Sequence, residues 1–247
     1  MCSAKRVSAI FRREMRAYFT SPVAYVFLVA FLLLIGFLTF SVTMFYERRD
    51  ANLAYFFMWH PWVYLLLVPA ATMGLWAEER RSGTIELLLT LPITLTETLI
   101  GKFLAAWAFI GIALALTFPV VATTVWLGSP DMGAIACGYL GSFLMAGACV
   151  AIGTLASALT RSQVVGFVLA LSACLVLILA GFEPVLRYFE GWAPRVLVDA
   201  VAACSLLTHF ESLQRGVVDL RDVTYFASVM VFALAAAHLA VNTRKAA

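Results

Sequence analysis

Few residues in this sequence have types and spacings suited to making or breaking bonds. Its three histidines are His60, His209 and His238, and none forms the HExxH or paired-His spacing that holds a metal, so no metal ligand is assigned. Cys2, Cys137, Cys149, Cys174 and Cys204 show no CxxC spacing. They read as small buried apolar residues rather than a disulfide or zinc framework. Ser205 and His209 lie four apart, but a hydrolase also needs a third group to orient the histidine and an elbow to present the serine. Gly101-Lys102 is the only Gly-Lys pair; Thr96 and Phe103 stand where a phosphate-binding loop needs glycine and a hydroxyl. No catalytic residue is assigned, and any ATP chemistry belongs to another chain.

The chemistry that remains is charge. Glu78-Glu79-Arg80-Arg81-Ser82-Gly83-Thr84-Ile85-Glu86-Leu87-Leu88-Leu89-Thr90-Leu91-Pro92 sets two carboxylates beside two guanidiniums, ahead of a short apolar run. Gly83 permits a sharp reversal. Thr84 is a plausible N-cap, and Glu86 favours a helix N-terminus. The helix so started must stop before Pro92. Thr94 and Glu97 then have the spacing of a capping box for the next helix. The apolar run is too short to cross a membrane. It either lies on lipid or docks in a groove on a soluble partner.

Residues 5–18 form the second charged element. At 100° per residue, Val7, Ile10, Phe11, Met15 and Tyr18 share one arc, and Lys5, Arg6, Arg12, Arg13 and Arg16 share the opposite one. That is the pattern of a helix lying in the membrane surface against anionic headgroups. Glu14 falls in the apolar arc. Either it pairs with something and faces protein, or it snorkels to the headgroups.

The elements that must position these charges are apolar. The 247 residues are 63% hydrophobic and 13% charged, with a mean hydropathy of +0.95. Soluble domains run at roughly 45–50% apolar, so the excess must face lipid. Soluble enzymes and disordered chains are excluded, and a net charge of +3 is too small to suggest nucleic acid. Spanning helices need about 20 apolar residues. The fold class is therefore an all-α polytopic membrane protein, a single transmembrane domain over 1–247. Its parts are an interfacial helix over 1–20, six spans at about 22–46, 58–77, 99–127, 132–160, 162–182 and 222–243, a loop at 78–98 and an outer loop at 183–221. The first twenty residues lack a small-residue cleavage site and lead into a long apolar run, so that run reads as a retained span.

Lysine and arginine orient the spans. Lys5, Arg6, Arg12, Arg13, Arg16, Arg80, Arg81, Lys102, Arg161, Arg244 and Lys245 fall on one side, with five of the fourteen acidic residues. Arg48, Arg49, Arg187, Arg195, Arg215 and Arg221 fall on the other with the remaining acidic residues. Both termini are expected in the cytoplasm. Trp59, Trp62 and Trp76 read as interface anchors. Ala134, Gly138 and Ser142 are small residues four apart, serving either intrachain packing or a dimer face. Pro61, Pro69 and Pro119 predict kinks. The outer loop reads equally as a gate or a lid.

The run from Glu78 to Ile93, followed by Gly101-Lys102-Phe103-Leu104, resembles the signature of the type-2 ABC transporter permeases. It is most similar to their gliding-motility branch. Phe19 to Val26 and Phe210 to Asp222 support the likeness, which covers nearly the whole chain. The resemblance implies that Thr84, Ile85, Glu86, Leu87, Leu88 and Leu91 belong to a coupling helix against an ATPase subunit. Glu78 and Glu79 would stand at its root, with Gly83 as the hinge. The amphipathic N-terminal helix, with Arg12, Arg13, Glu14 and Arg16, would touch the same subunit. It further implies a multi-pass protein of a bacterial inner membrane, acting as the permease of an ATP-driven exporter. Its partners would be two ABC ATPase copies binding ATP and Mg, a second permease copy or paralogue, and membrane lipids. The rival reading is an ATP-independent six-span channel or scaffold. Since the apolar runs 103–130 and 223–243, like the other runs, carry no Asp, Glu, Lys or Arg, a lipid-like, glycan-linked or hydrophobic cargo is favoured over an ion.

Overall fold

The structure is a computed structural model that describes residues 4–48, 52–83, 93–190 and 194–243. Among these residues every regular element is a helix. The chain is an all-α polytopic membrane protein. Helix α1 spans Ala4–Thr20, and α2 spans Pro22–Phe37 before widening into a π turn over Leu38–Val42. Ser21 Oγ accepts the Val23 N–H at 3.3 Å and Pro22 occupies the first turn, the start its sequence announces. Short helices α3 (Phe45–Arg48) and α4 (Ala54–Met58) follow.

The second apolar run is two helices, α5 (His60–Thr72) and α6 (Gly74–Arg81), rather than one. Pro61 sits in the first turn of α5, where it bends nothing. Pro69 lies inside α5, and the division comes just after it, at Met73. Helix α6 also runs on through Arg81, so Glu78 to Arg81 are helical rather than part of the loop.

Helix α7 (Leu95–Ala115) begins with the expected capping box: Glu97 N–H to Thr94 Oγ1 at 3.3 Å, and Thr94 N–H to Glu97 Oε2 at 2.9 Å. Pro119 opens α8 (Phe118–Leu127), and Asp131 caps α9 (Met132–Leu159). Helix α10 covers Gln163–Leu179 and bends by 69° into α11 (Glu183–Glu190). Helices α12 (Arg195–Ala203) and α13 (Leu206–Gln214) meet at 70°, and α14 spans Leu220–Thr243. Among the described residues, Pro22–Val42, Leu95–Leu127, Met132–Leu159 and Leu220–Thr243 are each long and apolar enough to cross a membrane, which makes four candidate spans, or up to six if each bent pair counts as one.

Helix α9 is the centre, packed against α5, α6, α7, α10, α13 and α14. Its small residues make this possible. A methyl group added at Gly147 would sit 2.7 Å from Met230 and 2.8 Å from Trp107, and one at Gly141 would sit 2.9 Å from Leu213. Gly138 is pressed against Phe57 and Gly153 against Thr72. These glycines of the small-residue face are thus used within the chain.

One expectation is corrected: Trp76 is fully buried and is no interface anchor. The apolar face of α1 packs in part on α7. Ile10 is buried with its Cγ2 2.7 Å from where a Gly101 side chain would begin, and Tyr18 stacks on Phe109 at 4.8 Å. A neighbouring helix offers that face tighter contact than acyl chains do.

Candidate functional site

The charges singled out in the sequence converge where α1, α6 and α7 meet at one end of the bundle. Lys102, two turns into α7, has a side chain only 4% exposed. Its Nζ lies 2.8 Å from Glu79 Oε1 on the last turn of α6 and 3.5 Å from Glu14 Oε1 on α1. Arg13 joins from the solvent side, 2.6 Å from Glu14 and 3.8 Å from Glu79. Two cations thus face two carboxylates. A buried ammonium is tolerable only with such partners in place. The Trp76 ring lies 5.7 Å from the same Nζ. A second tie joins the same helices: Arg6 on α1 reaches Glu97 on α7 at 3.7 Å, and Glu97 is fully buried.

Glu14 therefore faces protein and is paired. Burial and the neighbouring Glu14 carboxylate push the Tyr18 phenol well above its ordinary value, and Tyr18 Oη donates to Ala71 C=O at 3.3 Å. Of the cationic arc on α1, Arg6 and Arg13 are drawn toward core carboxylates, while Arg12 and Arg16 stay exposed on the far side.

At the end of α6, adjacent carboxylates have different surroundings. Glu79 turns inward to Lys102, and Glu78 is exposed. Arg80 donates to Ala240 C=O of α14 at 3.4 Å. Gly83 adopts φ +72, the left-handed region in which glycine carries no Cβ penalty. Thr84, Ile85, Glu86, Leu87, Leu88 and Leu91 lie outside the described residues. The structure thus fixes the root of the loop, Glu78, Glu79 and Gly83.

Sequence reasoning missed Lys102 and Glu97 as partners. Lys102 drew notice as a failed phosphate-loop lysine, as one of the orienting cations and within the family motif, and Glu97 as a cap, but neither as an ion-pair partner. A lysine following a glycine inside an otherwise apolar helix was the available signal, but its partners lie 23 and 88 positions away.

At the opposite end, Ser205 and His209 do not form a nucleophilic pair. Ser205 Oγ caps α13, accepting from Leu207 N–H at 3.0 Å. His209 instead faces two acceptors, Asp222 Oδ1 at 2.6 Å and Ala203 C=O at 3.1 Å, beneath the stacked Tyr225 ring. This ties α13 to the first turn of α14. No group of three metal-ligating side chains occurs among the described residues.

The chain matches the family profile described as ABC-2 family transporter protein over residues 8–190. It belongs to that family. The match runs from within α1 to the end of α11 and includes Arg13, Glu14, Glu79 and Lys102. No curated protein matches the chain. As an ABC-2 family member, the chain is a multi-pass membrane permease of an ABC transporter. Membrane subunits of the family partner an ABC ATPase and are in general not enzymes themselves. The profile describes the family as a whole and does not single out the gliding-motility branch.

Proposed function

We propose that this ABC-2 permease drives export by taking up the motion of a separate ATPase through residues 84–91. Two ATPase copies would engage two permease chains, identical or paralogous. The ATP and Mg are held by the ATPases, and both permease termini lie in the cytoplasm of a bacterial cell. The observation that carries the reading is the Glu79–Lys102–Glu14 junction. It joins the root of that loop to α1 and α7 at once, so a push on the loop reaches three helices rather than one.

The apolar side chains Leu87, Leu88 and Leu91 supply surface for a groove on the ATPase. Each is worth roughly 1.5–3 kcal/mol if fully covered. Leu88→Asp should leave the chain in the membrane, because residue 88 belongs to none of the apolar runs long enough to span, yet release the ATPase. Pull-down of the ATPase at matched permease levels measures this, with ATP hydrolysis expected only when that subunit is present. Equal recovery with wild type and Leu88→Asp, or steady ATP turnover by the permease alone, would sink the docking reading. A wild-type chain that recovers no ATPase would favour the channel or scaffold instead.

A further inference from the structure

The division of the second apolar run has an unusual cause. In an unbroken helix the Ala77 N–H would bond to the Met73 carbonyl, four residues back. Here a hydroxyl from another helix stands in that step. Ser157 Oγ of α9 donates to Met73 C=O at 2.8 Å and accepts from Ala77 N–H at 3.1 Å and Trp76 N–H at 3.0 Å. A side chain inserted into the i→i−4 ladder is one of the few established causes of a helix break. The hydroxyl also serves as an N-cap delivered in trans, satisfying two of the first-turn donors of α6 that would otherwise lack partners.

The surroundings hold it in place. Ser157 and the Trp76 side chain are fully buried. One turn earlier on α9, Gly153 lies against Thr72, the last residue of α5. Pro69 has already removed one N–H from the ladder just before the break. Met73 itself keeps right-handed helical angles, φ −55 and ψ −32. The chain at the break is therefore not strained, and the two halves are separated by one exchangeable set of hydrogen bonds. Beyond the break, α6 carries Glu79, ion-paired with Lys102 and Arg13, and then leads directly into residues 84–91.

We infer that Ser157 is the positioning residue of a hinge, and that α6 swings on it as the lever between loop 84–91 and the membrane core. The hydroxyl can keep its bonds to Met73, Trp76 and Ala77 while the angle between α5 and α6 changes. A continuous ladder could not. Its use in coupling rests on the transporter reading above, whereas the hinge is a property of this chain alone.

The test separates the two. Spin labels at Leu66 and Arg81, both exposed, report the spread of distances across the break in the purified permease. Ser157→Ala lets Met73 C=O and Ala77 N–H bond each other, so the distance distribution should narrow to that of one rigid helix. Ser157→Thr retains the hydroxyl and should restore the wild-type width. In the complex with its ATPase, Ser157→Ala should recover as much ATPase as wild type. It should lose the shift in the 66–81 distance that ATP and vanadate produce. A distribution unchanged by Ser157→Ala overturns the hinge, whatever the ATPase does. Narrowing with Ser157→Ala, joined to a nucleotide-driven shift that persists, overturns its role in transmission.

Discussion

Lys102 illustrates how a charge can be placed in an apolar helix without being left there alone. Its ammonium has given up nearly all of its water and is held by Glu79 and Glu14, with Arg13 balancing the second carboxylate. Removing one partner from such a set leaves the rest uncompensated, at a cost of about 3–5 kcal/mol. Lys102→Met should therefore lower the melting temperature of the detergent-purified chain markedly. Adding Glu14→Gln and Glu79→Gln to Lys102→Met should recover much of the loss, because the carboxylates that needed the lysine are gone. Should the triple variant melt no higher than Lys102→Met, the junction is held by shape rather than charge. The same residue shows the limit of reading a sequence. Glu14 stood out because it broke the apolar arc of its own helix, a signal contained within a few turns. Its partner lay 88 positions away, and no local pattern points across that distance.

Among the elements, those governed by contacts within a turn or so were legible. Ser21 and Pro22 announced α2, and Thr94 with Glu97 announced α7, because a cap is written in three or four consecutive residues. The division of the second apolar run was only half legible. Pro69 marked the neighbourhood, but the break itself is made by Ser157, whose sequence neighbours show only another apolar helix. Helix α1 was foreseen in extent and amphipathicity but not in where its apolar face would go, since lipid and a neighbouring helix accept the same stripe. The decisive feature is Gly101, which opens a hollow on α7 for Ile10. Gly101→Val would drive new atoms toward Ile10, and overpacking of this kind costs about 1–3 kcal/mol. The expected result is an α1 that lifts from α7, with faster trypsin cleavage after Arg12 and Arg16 in membrane vesicles open to the protease. Cleavage at the wild-type rate would mean that α1 is anchored by its ion pairs alone.

For the molecule as a whole, the remaining question is how the bundle stands in the membrane, and a native cysteine can report it. Cys204 is exposed at the 70° corner between α12 and α13, whereas Cys149 and Cys174 are buried and Cys137 is half-buried. In the orientation proposed from the lysine and arginine distribution, the junction of α1, α6 and α7 would face the cytoplasm and the α12–α13 corner the far side. A membrane-impermeant maleimide applied to intact spheroplasts should then label a Cys2→Ser chain, and adding Cys204→Ser should abolish the signal. Labelling that needs the membrane to be opened first would reverse the orientation and place residues 84–91 beyond the reach of any cytoplasmic ATPase. The corner admits one more distinction, because two helices meeting at so steep an angle suit either a lid above the membrane or a loop dipping into it. A lid leaves Cys204 in water, where the charged maleimide reacts as fast as it does with a cysteine placed at Arg215. A dipping loop keeps it among acyl chains, where only a permeant maleimide reacts. Rapid reaction with the charged reagent is the expected outcome, since His209 and Asp222 hold α13 against the polar first turn of α14 rather than against its apolar middle.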